Sequence, residues 1–263
     1  MPGLDPIRLK PLLGPLAGRF DVDVLAECDS TNSEIQRRAE AGAPAGTVVV
    51  AERQTAGRGR RGRTWLAEPG DGLTFSLLWR FGGPPAWLSG LSLAVGVGVA
   101  RALEDCGAAG VALKWPNDVL LRRGEGFAKL AGILVELVVD RRGIQAVIGI
   151  GLNLRPPAGD LPQPAAGLVE ALPALPDRHG LLAALLAAQA EVLDRFAGQG
   201  FAGLQADWQA RHAWQDRPVE VLQEGAAGIA GRCLGADRDG SLLLATAGGM
   251  RRILAGDVSL RPA

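Results

Sequence analysis

Charge of one sign is the first thing this sequence does not have in excess. Lys plus Arg and Asp plus Glu both number 28, a formal net charge of zero, so the overall balance does not draw the whole chain onto nucleic acid or an anionic membrane. Any anion it binds is held locally. Cysteine is scarce as well: Cys28, Cys106 and Cys233 are far apart, odd in number and without a pair at metal-ligand spacing. That argues against a disulfide framework and a structural zinc site and for a reducing compartment. The opening MPGLDPIRLK lacks an apolar signal core, and no apolar run is expected to approach a membrane span. The expected location is the cytoplasm. A Gly-Lys-Ser/Thr phosphate loop, a dinucleotide glycine pattern and internal repeats are absent too.

What is present is ample apolar material, 48% of 263 residues, enough to fill a proper core. Proline and glycine punctuate it. After a lead of about twenty residues, FDVDVLAECDS alternates like a strand and DSTNSEIQRRAEAG turns helical, with Thr31 as the expected cap, Glu34 closing a capping box and Gly42 at the stop. GTVVVAERQ and GLTFSLLWR read as strands, an Ala/Leu/Val-rich segment over about 88–105 as a buried helix, and VALKWPNDVLL, KLAGILVELVVD and IQAVIGIGLNL as further strand-like runs. Helices are expected over about 177–197, opened by an Asp cap, and 201–214. A mixed sheet backed by helices, an α+β domain over 1–214, is the economical reading. From 215 to 263 helical periodicity vanishes, and four or five short β runs between Gly- and Asp-rich turns predict a small β-barrel that must lean on the larger domain for stability.

The local charge sits in QTAGRGRRGRTW, Gln54 to Trp65, where Arg58, Arg60, Arg61 and Arg63 are interleaved with Gly57, Gly59 and Gly62 between two strands. Glycine lets backbone amides approach a ligand closely, and each guanidinium offers a planar fork to phosphate or carboxylate. Four like charges without a core beneath them predict a loop that closes when an anion arrives. Short Arg-Gly runs also serve as solvated tails or nonspecific nucleic-acid contacts, but those sit at termini or in long biased segments, whereas this loop is embedded between core strands. KWPNDVLL places Lys114 at a strand end, with Trp115 offering a large flat ring as a platform and Pro116 fixing the backbone before Asn117 and Asp118 in a rigid turn; the plain alternative is a snorkelling lysine and a capping aspartate. KLAGILVE carries Lys129 and Gly132, and GIGLNL carries Gly149, Gly151 and Asn153, glycines that mark either a close approach or a bulge.

ECDSTN, QTAGRGRRGRTW, KWPNDVLL, KLAGILVE and GIGLNL, in this order, resemble the biotin protein ligases. The resemblance implies a class II synthetase-like catalytic domain of the biotin/lipoate ligase type with a small C-terminal SH3-like barrel. It implies ATP and biotin as substrates, Mg²⁺ on the phosphates, and a biotin carboxyl carrier domain as acceptor. Carried over by position, Ser30, Thr31, Gln54, Gly57, Arg58, Lys114, Gly132, Gly149 and Gly151 are expected at biotin. Arg58, Arg60, Arg61, Arg63, Trp65, Asn117, Lys129 and Asn153 are expected at ATP or the adenylate, with Trp65 beside the adenine ring. Lys114, Arg60 and Asp118 are the expected catalytic set, Asp118 as acceptor of the incoming lysine's proton. No protein-held metal site is expected. Some relatives carry an N-terminal helix-turn-helix domain, and the short lead predicts none here and no sequence-specific DNA binding. A homodimer is compatible with the sequence. The rivals are a lipoate or octanoate ligase and a simple anion-binding module.

Overall fold

The computed structural model describes residues 3–140, 143–159, 161, 163–223, 227–255 and 258–262. In the order of the sheet, its strands are β1 (Asp21–Cys28), β2 (Thr47–Gln54), β3 (Gly72–Phe81), β7 (Gly143–Asn153), β6 (Gly126–Asp140), β5 (Asp118–Arg123) and β4 (Val111–Lys114). Only β1 and β2 run parallel, joined across one face by α2 (Thr31–Glu40); every other neighbour is antiparallel. Ile35 and Ala39 of α2 pack on Val49, Leu78 and Val147. The opposite face is covered by α3 (Leu91–Asp105), which lies on α4 (Arg178–Gln199), and by α1 (Pro6–Leu12) behind it.

The strands fall where the apolar runs predict, and Asp177 caps α4 as expected, accepting from the amides of His179 and Gly180. Three expectations need correction. The lead contains α1, started by Asp5, whose carboxylate accepts from Ile7 N–H, with Pro6 at the first helical position. Ser30, not Thr31, is the cap residue of α2, and no side-chain cap bond forms. The helix expected over 201–214 shrinks to a turn of 3₁₀ helix and α5 (Gln205–Gln209), because Leu113 N–H donates to Arg211 O and Leu113 O accepts from Ala213 N–H, pulling that stretch out of helix to flank β4. A fourth expectation is narrowed: Pro85–Asp105 is long and apolar enough by composition to span a bilayer, yet two-thirds of its most apolar window is buried inside the protein, as a core helix should be.

The C-terminal lobe is a five-stranded antiparallel sheet, with β8 (Pro218–Gln223), β9 (Ile229–Ala236), β10 (Leu242–Thr246), β11 (Gly249–Ile253) and β12 (Val258–Pro262) in the order β11-β10-β9-β8-β12. It leans on the catalytic domain through polar anchors. Trp115 is fully buried and donates its indole N–H to Gly240 O at 3.0 Å, and Ser89 Oγ donates to Asp239 O at 2.6 Å. Trp115 is thus a core anchor, not an exposed ring platform.

At the same junction His212 is buried, stacked on Trp208 with ring centroids 4.5 Å apart and 4.0 Å from Cys233 Sγ. Burial pushes its pKa down to about 4, with Gln215 opposing only in part. A folded pKa below the unfolded one means the unfolded chain binds the extra proton, so stability is lost as pH falls from about 6.5 towards 4. We expect a loss on the order of 3 kcal/mol across that window. His212→Phe should flatten this part of a plot of Tm against pH; an unaltered acid limb would contradict it.

Candidate active site

The site lies on the α2 face of the sheet, beyond the N-terminus of that helix. Pairing brings Gly132, Leu134 and Glu136 of β6 opposite Gly151, Gly149 and Val147 of β7, and these opposite Thr74, Ser76 and Leu78 of β3. Residues paired across an antiparallel ladder share a face. The result is a shallow patch of small residues, walled by α2 and roofed by the arginine-glycine loop.

Its floor carries a polar network. Gln54 Oε1 accepts from Thr31 N–H at 2.8 Å, Ser76 Oγ lies 2.7 Å from Thr31 Oγ1 and 2.6 Å from Asn32 Oδ1, and Asn32 Nδ2 donates to Glu136 Oε2 at 2.8 Å. Asn32 Oδ1 can only accept, so Ser76 gives it its one proton and Thr31 Oγ1 donates to Ser76, with Gln54 Oε1 a longer second acceptor at 3.2 Å. Thr31 therefore spends nothing on capping, and the conflict between the two uses of its hydroxyl disappears. Ser30 is buried beside it and lines the same slot.

The slot itself holds only about 50 Å³, little more than the share of one or two waters. The cause is Trp65. A Cβ on Gly151 would overlap its indole, and one on Gly132 would stand 3.1 Å from both Trp65 Cζ3 and Lys129 Nζ. The indole N–H is buried without a hydrogen-bond partner among the described residues. Gly149 has a different job, because its missing Cβ makes room for the Asn32 carboxamide. Gly57 lets the loop close against Gln54 and the backbone of Trp65.

The slot adjoins a cavity of about 570 Å³, the two sharing walls at Arg60, Trp65, Asn117 and Lys129. Lys114 and Asp118 face each other across the β4–β5 hairpin. The partner of Leu120 is Lys129, not Leu130, so β6 bulges at Leu130. A bulge re-aims a side chain, and this one turns Lys129 to the face of Gly132 and Asp118. Asp118 Oδ1 then lies 2.6 Å from Lys129 Nζ and Oδ2 3.2 Å from Lys114 Nζ. Burial pushes the Asp118 carboxyl up, but the ammonium groups of Lys129 and Lys114 outweigh it and hold the group below its usual value. Burial pushes Lys114 down, with Asp118 opposing and Arg261 and Lys129 reinforcing the shift, while the Trp214 ring lies 5.5 Å away.

The loop folds as a tight hairpin: Gly59 N–H donates to Arg63 O at 2.7 Å, Trp65 N–H to Gly57 O at 3.0 Å, and Arg61 takes the left-handed region at φ 60°. Arg60 donates to Asn117 Oδ1 at 3.0 Å, and Asn117 is fixed in turn by donating to Ile133 O at 2.7 Å. Arg61 and Arg63 line the larger cavity. Two expected placements change. Arg58 does not reach towards that cavity; its guanidinium pairs with Glu136 Oε1 at 2.5 Å on the slot side. The Trp65 indole lies on the glycines of the slot, so in this state its face is not offered to a purine. Asn153 does line the larger cavity, buried, with its amide donating to Ala166 O at 3.1 Å and Lys129 O at 3.4 Å, a brace for the cavity wall. The sequence reading missed Asn32, Ser76 and Glu136. A serine in the apolar run GLTFSLLWR and a glutamate inside GILVELVVD were the available signals.

Among the described residues no group of three or more His, Cys, Asp or Glu side chains is placed to hold a metal ion. Asp118, the one carboxylate among the described residues that line the larger cavity, is bracketed by two lysines. Such a donor set does not suit a resident Mg²⁺ ion.

Residues 25–153 match the biotin/lipoate A/B protein ligase family and residues 216–261 the biotin protein ligase C-terminal domain. A biotin--[acetyl-CoA-carboxylase] ligase of Mycobacterium tuberculosis is 36% identical over 98% of this chain and 96% of its own length. The bifunctional ligase/repressor BirA of Escherichia coli is 38% identical over 98% of this chain and 80% of its own. A biotin protein ligase of Aquifex aeolicus, solved in complex with biotin and ATP, superposes with a TM-score of 0.78 at 33% identity, covering 92% of this chain and 99% of that one.

Proposed function

The chain belongs to the biotin protein ligase family, and we infer that it activates biotin with ATP to biotinyl-5′-AMP and passes the biotinyl group to a lysine of a biotin carboxyl carrier domain. One observation carries this reading: a slot lined by Ser30, Thr31 and Gln54 opens directly onto a cavity lined by Lys114 and Lys129. A bicyclic acid seated in the slot points its carboxylate at the lysines. The ureido group has two N–H donors and one acceptor oxygen, and hydroxyl and carboxamide groups can answer both. A dithiolane or alkyl chain has neither, and would gain no hydrogen bond from these polar groups while shutting them off from water. That favours biotin over lipoate or octanoate.

Entry requires the Trp65 indole to leave Gly151, since the slot as it stands is too small for the ring system. Once biotin is seated, its carboxylate oxygen attacks the α-phosphorus of ATP, the bond to the bridging oxygen breaks, and pyrophosphate leaves. Two anions meet in this step, so fixed cations lower the barrier. Lys114 serves the carboxylate and then the acyl-phosphate, Lys129 lies beside it, and Arg60 closes over the adenylate from its seat on Asn117. Any Mg²⁺ comes with the nucleotide. In the second half the carrier's lysine nitrogen attacks the acyl carbon and AMP leaves with the electron pair of the cleaved C–O bond. Asp118 is a poor base while both lysines hold it. When the acyl-phosphate oxygens draw Lys114 away, the carboxylate is freed to take the proton. The three cysteines are free, in keeping with work in a reducing cytoplasm.

Mass spectrometry of a purified carrier domain after incubation with protein, biotin and ATP tests the reaction: one lysine should gain a biotinyl group while AMP accumulates. Arg60→Gly removes the side chain that seals the adenylate. We expect pyrophosphate formation to persist while biotin labelling of bystander lysines rises at least about tenfold, as loss of one charge-assisted contact implies. Labelling confined to the carrier lysine in that variant would remove Arg60 from the retention role.

A further inference from the structure

We propose that Glu136 is a positioning residue that latches the arginine-glycine loop over the biotin slot, a role that rests on the ligase reading above. Glu136 is the one acid on its stretch of the slot face, in line with Leu134 and Gly132. A charge placed there among apolar neighbours is costly unless paired. Both of its oxygens are engaged: Oε1 accepts from Arg58 Nη2 at 2.5 Å and Oε2 from Asn32 Nδ2 at 2.8 Å. Asn32 is saturated in turn, donating also to Leu134 O and accepting from Ser76. A continuous chain thus runs from Thr31 through Ser76, Asn32 and Glu136 to Arg58, joining the slot floor to the first arm of the loop. The second arm has a separate fastening at Arg60 and Asn117.

The two fastenings divide the work. Arg60 sits by the phosphate cavity, whereas Arg58 is held on the ring side, with Ser33 Oγ 3.4 Å from its other nitrogen. Closing the ring side excludes water from the slot and keeps the activated ring from leaving. Glu136 touches none of the reacting atoms. Removing it frees Arg58 and opens the lid without removing any group that acts on phosphorus or the acyl carbon.

The test is pyrophosphate release by Glu136→Ala and Glu136→Gln, with biotin and ATP and no carrier. A retained adenylate gives a burst of about one pyrophosphate per site and then a slow steady rate set by escape. We expect both variants to keep the burst and to show a steady rate raised about five- to tenfold, the scale of one charge-assisted bond made only in the closed state. The glutamine variant keeps the shape and the bond from Asn32, so it reports the ion pair even if the alanine variant folds poorly. A merely structural role would shrink the burst and lower Tm without raising the escape rate. Combining Glu136→Ala with Arg58→Ala should add nothing beyond the larger single effect. A normal burst with an unchanged steady rate, or additive effects in the double variant, overturns the latch. No burst in the unmutated protein would instead overturn the ligase reading, so the two failures are distinguishable.

Discussion

Lys114→Ala is expected to lower biotin-dependent pyrophosphate release by about 10²- to 10³-fold, the usual cost of removing one preorganised group that stabilises developing charge in a sheltered site. The effect is on chemistry because of what remains. Lys114 lies almost fully buried in the wall of the cavity onto which the slot opens, and its loss takes a fixed cation away from the space where carboxylate and α-phosphate meet. Asp118 keeps Lys129 at 2.6 Å, so no unpaired carboxylate is left behind. The variant should fold, with Tm within a few degrees of the parent, and should still bind biotin. Stopped-flow pyrophosphate release with parallel calorimetry checks both halves. A variant that keeps its rate would move the role to Lys129, and one that unfolds would show Lys114 to be structural.

Gly151→Val is expected to abolish biotin binding at millimolar concentrations, a loss of at least about 10²-fold in affinity given that misfit groups in a fixed slot cost several kcal/mol. Gly151 pairs with Thr74 on one side and Gly132 on the other, so a branched side chain would rise into the middle of the slot. Even its Cβ would overlap the Trp65 indole. The strand itself should tolerate valine, which suits an extended backbone. The informative contrast is Gly149→Val, where the obstruction falls on Asn32 instead. That variant should damage the floor and the Arg58 latch through Asn32, its Cβ not meeting the indole. Isothermal titration of both variants with biotin separates the cases; equal affinities for parent and Gly151→Val would place the ring elsewhere.

Much of this was legible in the sequence because local chemistry decided it. Gly-bounded apolar runs such as IQAVIGIGLNL became strands, and the side chain of Asp177 caps α4. The loop, the KWPND turn and the two lysines were found as separate motifs, and the fold brings them to one cavity. What escaped depends on pairing over long separations. Glu136 meets Arg58 from 78 positions away, and Leu113 takes its partners from Arg211 and Ala213, which unmakes an otherwise plausible helix. Trp115, read as a platform, is anchored by a carbonyl of the other lobe. Trp65 was expected at a nucleotide base, and only the glycine ladder of β6 and β7, set by register, shows where its ring rests. Lys129 reaches Asp118 because of a bulge at Leu130, and a one-residue irregularity leaves no mark in composition or periodicity.

The central claim is that a ureido-bearing acid is activated at the junction of slot and cavity. The most direct measurement is pyrophosphate release by the purified protein with ATP and, separately, biotin, lipoate or octanoate. Release that depends on biotin and stays near background with the other two is the result predicted here. Release with lipoate or octanoate but not with biotin would keep the fold and overturn the substrate, and release with none of the three would contradict the account itself.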